Sequence, residues 1–360
     1  MTFEQLSERL KPCGLGHKVL LGVGPMSKNT VDSILETVNV LKLPIQLIAS
    51  RRQIECKELG GGYVNNWTTE TFAEYVRAND KAGTVMLCRD HGGPWQGANE
   101  GKLSAAKAFE RACLSYEADI RSGFDVIHLD PSLHDRPLAT IKRDVERLLT
   151  FCEGVSGSEG IVYECGTEET NGQTTDPKAF EDFVKFCESL SPKIKFCVGQ
   201  TGTLVKETRN VGTYDNAKAR ELVSICNRHG MMLKEHNLDY AKDEVLKDHR
   251  HAGIHSVNIA PEFGVLETTK LLELLDTHKL KKERKRFIQI AHDSKKWEKW
   301  MVSERSEEDK AIISGHYVFN DPEVEEIKQL LNEKMYLDEV LKVEITCRLL
   351  KYLKDFRWLV

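Results

Sequence analysis

Asp90 and His91 stand at the end of a short apolar run, Val85-Met-Leu-Cys88, and Gly92-Gly93-Pro94 follows at once. The run lacks polar alternation and carries β-formers, so it predicts a fully buried strand. Two glycines and a proline neither continue a strand nor start an ordinary helix, so the chain must turn there. An acid and an imidazole are thereby expected at the carboxyl end of a buried strand, where α/β folds place their chemistry. A surface loop with an incidental Asp and His is the plainer alternative, and the rest of the chain must decide.

Other apolar runs also end in polar residues. His128 and Asp130 close one, and Glu164, Glu168 and Glu169 follow another. Gln200 and Thr201, then Glu235, His236, Asn237 and Asp239, then Asn258 and Glu262 complete the series. Histidines and carboxylates converging from separate strands suit a divalent transition metal, zinc first, with imidazole nitrogens and a Glu oxygen as ligands. His91 and His236 are read as such ligands, whereas His128, inside an apolar run, reads as a hydrogen-bonded core histidine. Arg89 and Lys234 are candidates for a phosphate or carboxylate of the substrate, with ion pairing as the plainer use. Arg89, Asp130, Gln200, Asp239 and Asn258 are expected to face the substrate.

For these residues to meet, the strands that carry them must lie side by side. Buried runs begin near residues 18, 44, 84, 125, 161, 194, 231 and 254, with room for a helix in each interval. Asn29-Thr30 opens an amphipathic helix with Val31, Ile34, Leu35, Val38 and Leu41 at helical spacing. Asp176-Pro177 combines an N-cap with proline at the first helical position, and Phe180, Phe183, Val184 and Cys187 line one face beyond it. Eight β-then-α units predict an α/β fold, a (β/α)8 TIM barrel over 1–277, with 278–360 as a helical extension packed on it. A doubly wound open sheet is the competitor. It usually carries Gly-x-Gly-x-x-Gly after its first strand, and Gly22-Val-Gly24-Pro25 does not complete one. A nucleotide-dependent oxidoreductase is weakened by the same gap.

A chain of 360 residues, 40% hydrophobic, can bury a full core. Its net charge of −5 argues against a nucleic-acid or anionic-membrane surface. The basic run Lys279 to Arg286, with Trp297 and Trp300 nearby, reads as a solvated helix face. No leader with a basic and then an apolar region is visible, and no run approaches the ~20 residues of a membrane span, so a cytoplasmic location is expected. The ten cysteines are scattered without a Cys-x-x-Cys pair and read as small buried hydrophobes in a reducing compartment. A homo-oligomer in which His316 reaches a neighbour's barrel mouth is compatible with this pattern.

Asp90-His91-Gly-Gly-Pro94 resembles the Gly-Asp-His-Leu-Gly-Pro signature of the family called the non-catalytic subunit of class II tagatose-bisphosphate aldolase. Glu164-Cys-Gly166-Thr167-Glu168 is similar to that family's Gly-Thr-Glu segment, and Gln200-Thr-Gly202 to its Gln-Pro-Gly turn. Glu235-His236-Asn-Leu-Asp239-Tyr240 resembles its Gly-His-Ser-Thr-Asp-Tyr, and Ile259-Ala-Pro261 its Val-Gly-Pro. His316-Tyr317 and Asp321-Pro322 echo a late segment, so the matches are collinear from about 85 to 322. The resemblance implies a TIM barrel related to zinc-dependent class II aldolases and to metal-dependent epimerases of ketoses and sugar acids. It implies His91 and His236 as metal ligands, Asp90 as the proton-transfer carboxylate, and Glu164 or Glu168 as a further ligand or acid/base. The implied activity is reversible aldol cleavage of a ketose, phosphorylated by first expectation. Epimerisation and a stabilising role beside an aldolase catalytic subunit are the alternatives. Arg89 and Gly92 replace the family's glycine and leucine, and the aldolases' paired histidine motif and Gly-Gly-Ser phosphate loop are missing.

Overall fold

The computed structural model describes residues 2–11, 17–134, 136–166 and 172–359. Its strands are β1 (Leu20–Val23), β2 (Ile45–Ser50), β3 (Val85–Asp90), β4 (Val126–Leu129), β5 (Val162–Cys165), β6 (Ile194–Val198), β7 (Val205–Lys206), β8 (Arg209–Asn210), β9 (Met232–Glu235) and β10 (Ser256–Ile259). Eight of them close a parallel barrel in the order β1-β2-β3-β4-β5-β6-β9-β10, with β10 returning to β1. The fold is therefore a (β/α)8 TIM barrel with C-terminal helices. Every barrel strand starts within two residues of the place where its apolar run begins. β7 and β8 form a small antiparallel hairpin after β6 that the sequence pattern does not reveal. The pattern also passes over a helix at Phe3–Leu10, whose Phe3 ring meets Phe196 of β6 edge-on.

The helices form for local reasons. Ser27 caps Lys28–Leu41 by accepting the Thr30 N–H at 3.0 Å, two residues before the expected start. Asp176 caps Pro177–Leu190 by accepting the Ala179 N–H at 2.8 Å, with Pro177 at the first helical position. The outer faces of the strands are buried beneath these helices, which gives the near-continuous apolar runs. Beyond the helix Pro261–Thr277, four more helices build a second apolar core from Leu271, Leu275, Phe287, Phe319, Leu331 and Leu341. The last of them, Leu337–Asp355, turns back to the barrel, and Ile345, Leu349, Leu353 and Trp358 join its main core. Trp358 completes the link by donating its indole N–H to the Val19 carbonyl at 2.7 Å.

Seven of the nine described cysteines are buried and all nine are free thiols. No described helix is long and apolar enough to cross a membrane. His316 is buried within its own chain, against Tyr63, Tyr317 and the backbone at Gly264.

Candidate functional site

Strand geometry sorts the polar residues before any chemistry does. Side chains alternate across a strand, so Cys88 and Asp90 of β3 share one face and Arg89 takes the other. Asp90 points into the barrel, where Asn258 Nδ2 of β10 reaches its Oδ1 at 3.3 Å. Arg89 points outward into the helical layer, and this corrects its assignment to the substrate. It forms a bidentate pair with Asp119, donates to the Ala49 and Ile54 carbonyls and to Thr69, and has all five N–H donors engaged. The same rule sends Lys234 of β9 and His236 just past it inward and Glu235 outward, where Glu235 meets His249 at 2.6 Å and Thr203 at 2.6 Å.

At the carboxyl end of the barrel, Asp90, His91, His128, Glu164 and His236 converge. One ligand atom from each of Asp90, His128, Glu164 and His236 lies within 4.8 Å of the others, and all four residues are buried. His236 Nε2 stands 2.9 Å from Glu164 Oε1 and 3.8 Å from Asp90 Oδ1. His91 Nε2 stands 3.8 Å from Asp90 Oδ2. The three imidazoles form a triangle with ring centroids 5.1 to 5.6 Å apart. His128 thus belongs to the cluster and is not an ordinary core histidine. Its Nδ1 lies 3.6 Å from Glu164 and 3.9 Å from Asp90 and accepts the His91 N–H, while Nε2 is buried without a hydrogen-bond partner among the described residues.

Neighbours orient this cluster. His91 lies just past β3 with a left-handed φ of 46°, a strained state for a residue with a Cβ. Its Nδ1 meets Asp130 Oδ2 at 2.7 Å, so a proton shared there leaves Nε2 turned toward the cluster. Asp130 is itself held by Gln96 and Ser132, so it positions His91 and does not reach for substrate. Gly93 makes this approach possible, because a Cβ there would sit 1.8 Å from the Asp130 carbonyl oxygen. Gly22 serves β10 in the same way, since its Cβ would lie 2.5 Å from Asn258 Oδ1. Lys234, fully buried, donates to Glu164 Oε2 at 2.7 Å and is therefore tied to the cluster, not offered to a substrate phosphate.

Charge follows from this packing. Burial alone would raise the Asp90 carboxyl, but His91, His236 and His128 hold it well below the carboxylate range. Burial is likewise overcome at Glu164, which Lys234 and the histidines lower to about 2. Burial depresses His236, so a neutral imidazole and two carboxylates face one another, which is the protonation state a divalent cation needs. Burial would depress His91 too, but Asp90, Asp130 and Glu164 outweigh it and raise the imidazole to about 9. Imidazoles with carboxylates around one buried point fit zinc or a similar first-row ion better than magnesium or calcium, which favour all-oxygen sets.

A cavity of about 210 Å³ opens above the cluster, with Asp90, His91, His236 and Asn258 at its floor. Asp239 also lines it, but its Oδ1 accepts the Ala260 and Glu262 N–H groups at 2.9 Å and secures the start of the helix Pro261–Thr277. Burial beside Glu262 pushes the Asp239 carboxyl up to about 8. Gln200 is buried with its backbone paired to Thr175 and does not line this cavity. Glu168, the second catalytic candidate, lies outside the described residues.

No family model and no curated protein matches the sequence. Solved structures share its fold. A probable tagatose 6 phosphate kinase from Sinorhizobium meliloti superposes with a TM-score of 0.74 at 18% identity, covering 95% of this chain and 100% of that one. Fructose-bisphosphate aldolase from Campylobacter jejuni gives 0.59 at 11% identity, over 95% and 91% of the two chains. A putative fructose-1,6-bisphosphate aldolase from Coccidioides immitis gives 0.54 at 12%, over 94% and 92%. At such identities the likeness establishes the barrel and its appended helices.

Proposed function

We propose that this protein is a metal-dependent lyase of the class II aldolase type that reversibly cleaves a ketose, phosphorylated by preference. The observation that carries the reading is the convergence of Asp90, His91, His128, Glu164 and His236 from four strand ends beneath an open cavity. The aldolases among the solved structures with this fold support it. His236 and Glu164 would hold the ion, with His91 joining them once its Nε2 gives up its proton, while His128 Nδ1 borders the same point and already accepts the His91 N–H. When bound, a divalent ion supplies Lewis-acid polarisation of a carbonyl and a template for the hydroxyl beside it.

The chain's own residues supply the remainder. Asp90 is ionised at the cavity floor and accepts the proton of the alcohol whose C–O becomes the new carbonyl. The neighbouring C–C bond breaks, its electron pair stays with the ketone-side fragment, and the other fragment leaves as an aldehyde. A proton delivered to the ketone-side carbon completes the cycle. Asn258 donates to Asp90 Oδ1 and keeps the carboxylate aimed into the cavity. Lys234 balances one of the two buried carboxylates from below and leaves Glu164 Oε1 facing His236.

Metal content of the purified protein, compared with His91→Ala and His236→Ala, tests the centre, and turnover of a ketose-phosphate panel tests the reaction. We expect about one divalent ion per chain, its loss in both variants, and aldehyde release by the wild type. Full metal in both variants would remove the centre. Stereoisomers formed without aldehyde would replace cleavage by epimerisation.

A further inference from the structure

We infer that the outer end of the cavity is a phosphate subsite, clamped between Arg52 of the barrel and Lys299 of the C-terminal extension. The inference rests on reading the cavity as the substrate site, and it names the group that must stand at the far end of that substrate. Charge in the cavity is divided by depth. Asp90 and His236 are buried and His91 is half-buried, whereas Arg52 and Lys299 line the same cavity from exposed positions. Arg52, two residues past β2, is anchored through Nε to the Gln96 carbonyl at 3.3 Å and meets no carboxylate among the described residues.

Lys299 is set just as deliberately. Its carbonyl accepts from Lys206 Nζ at 3.1 Å, and the next carbonyl, that of Trp300, accepts the Glu207 N–H at 2.9 Å. This turn of the extension is thereby pinned to the β7–β8 hairpin. The Lys299 ammonium lies 4.4 Å from the Trp300 ring centroid and 5.7 Å from that of Tyr317, with no acidic partner among the described residues. Arg305, on the loop that follows, is by contrast neutralised by Glu207. Aromatic faces hold a lysine in place while leaving its charge uncompensated.

A guanidinium and an ammonium lining one cavity, neither paired with a carboxylate among the described residues, match a phosphate dianion, the first as a fork and the second as a point charge. Tyr63 and Tyr317, with ring centroids 4.7 Å apart, line the same wall and offer apolar faces to a carbon chain between the two ends. The cavity is smaller than the roughly 300 Å³ at the low end for drug-sized ligands, which suits a single short sugar phosphate. The missing Gly-Gly-Ser loop is thus offset from elsewhere in the chain, in part by the C-terminal extension.

Isothermal titration of inorganic phosphate into the full-length protein, as purified and after EDTA treatment, tests this. We expect binding in both states, weakened at least about tenfold by Arg52→Met and by Lys299→Met. Lys296→Met, which removes a neighbouring exposed charge off the cavity wall, should leave binding unchanged. Absence of phosphate binding by the wild type overturns the subsite. So does binding that EDTA abolishes, because the anion then sits on the metal. Equal weakening by Lys296→Met would reduce the effect to diffuse surface charge and also overturn it. Turnover is not part of the readout, so inactivity toward ketose phosphates would count against the lyase and leave a positive phosphate result standing.

Discussion

The 2.7 Å contact between His91 Nδ1 and Asp130 decides what His91 can do, because it assigns the other ring nitrogen to the cluster. Asp130→Asn keeps the shape and removes the charge. It should lower metal affinity about 10- to 100-fold without unfolding the protein, as read by competition with a chromogenic chelator. Unchanged affinity would detach Asp130 from the centre. Asp90 makes a different prediction, since its assigned work is proton transfer. Asp90→Asn should reduce kcat about 10²- to 10⁴-fold while metal content stays near the wild-type value. Parallel loss of metal would turn Asp90 from a proton acceptor into a ligand. At this scale His91, His236 and Asp90 were legible as residues that strand ends bring together. His128 was not, because its apolar flanks look the same whether the ring faces the helices or the barrel axis. The available signal was its spacing of two from Asp130, which follows the last residue of the same strand.

The β-strand's period of two governs the element scale. Arg89 lies between two residues of the barrel interior, yet its own side chain is in the helical layer, fully buried against Asp119. Removing one partner of a buried pair leaves the other charge uncompensated. Arg89→Met should therefore destabilise the fold by about 3–5 kcal/mol, measured by urea unfolding, while the metal centre keeps its affinity. A loss below about 1 kcal/mol would mean that Asp119 finds another partner or takes up a proton. Close approach between elements has an equally local cause. Gly22 faces Asn258 across the β1–β10 pair, and Gly93 lies over the end of β4. Both glycines stood out in the sequence as turn or nucleotide-loop signals. Their actual reason is steric and depends on which strand becomes the neighbour.

For the whole molecule, the C-terminal extension is what a barrel alone would lack. It builds a second core, returns a helix to the barrel and brings Lys299, Trp300 and Tyr317 to the cavity wall. A further cavity of about 360 Å³ separates it from the start of the helix Lys28–Leu41, with the buried His316 on its lining. Burial, reinforced by Lys299, pushes the His316 imidazole down to about 3. Its folded value is below the ordinary 6.5, so the unfolded chain takes up a proton first as pH falls. Stability is therefore complete above about 6.5 and is lost progressively as pH drops toward 3. The loss from this one group is on the order of 3 kcal/mol at pH 4. His316→Phe removes the titration and two ring nitrogens that have no hydrogen-bond partner among the described residues. It should flatten the acid limb of a pH–stability curve between 4 and 6.5 and leave stability at pH 7 equal or higher. An acid limb as steep as that of the wild type would assign the effect to other groups, such as the half-buried His255.

The amino-acid sequence alone determined the barrel, because eight buried runs with helical intervals admit few other closed arrangements. It also determined that polar residues gather at strand ends, since glycine, proline and short polar loops mark where each strand must stop. Which of those residues share a point in space was decided by the tertiary structure. Strand register and alternation brought His128 beside Glu164, sent Arg89 to Asp119, and tied Lys234 beneath the cluster. The docking of the extension on the barrel decided which cations face the cavity. Arg52 and Lys299 are 247 positions apart, and no local pattern in the chain connects them.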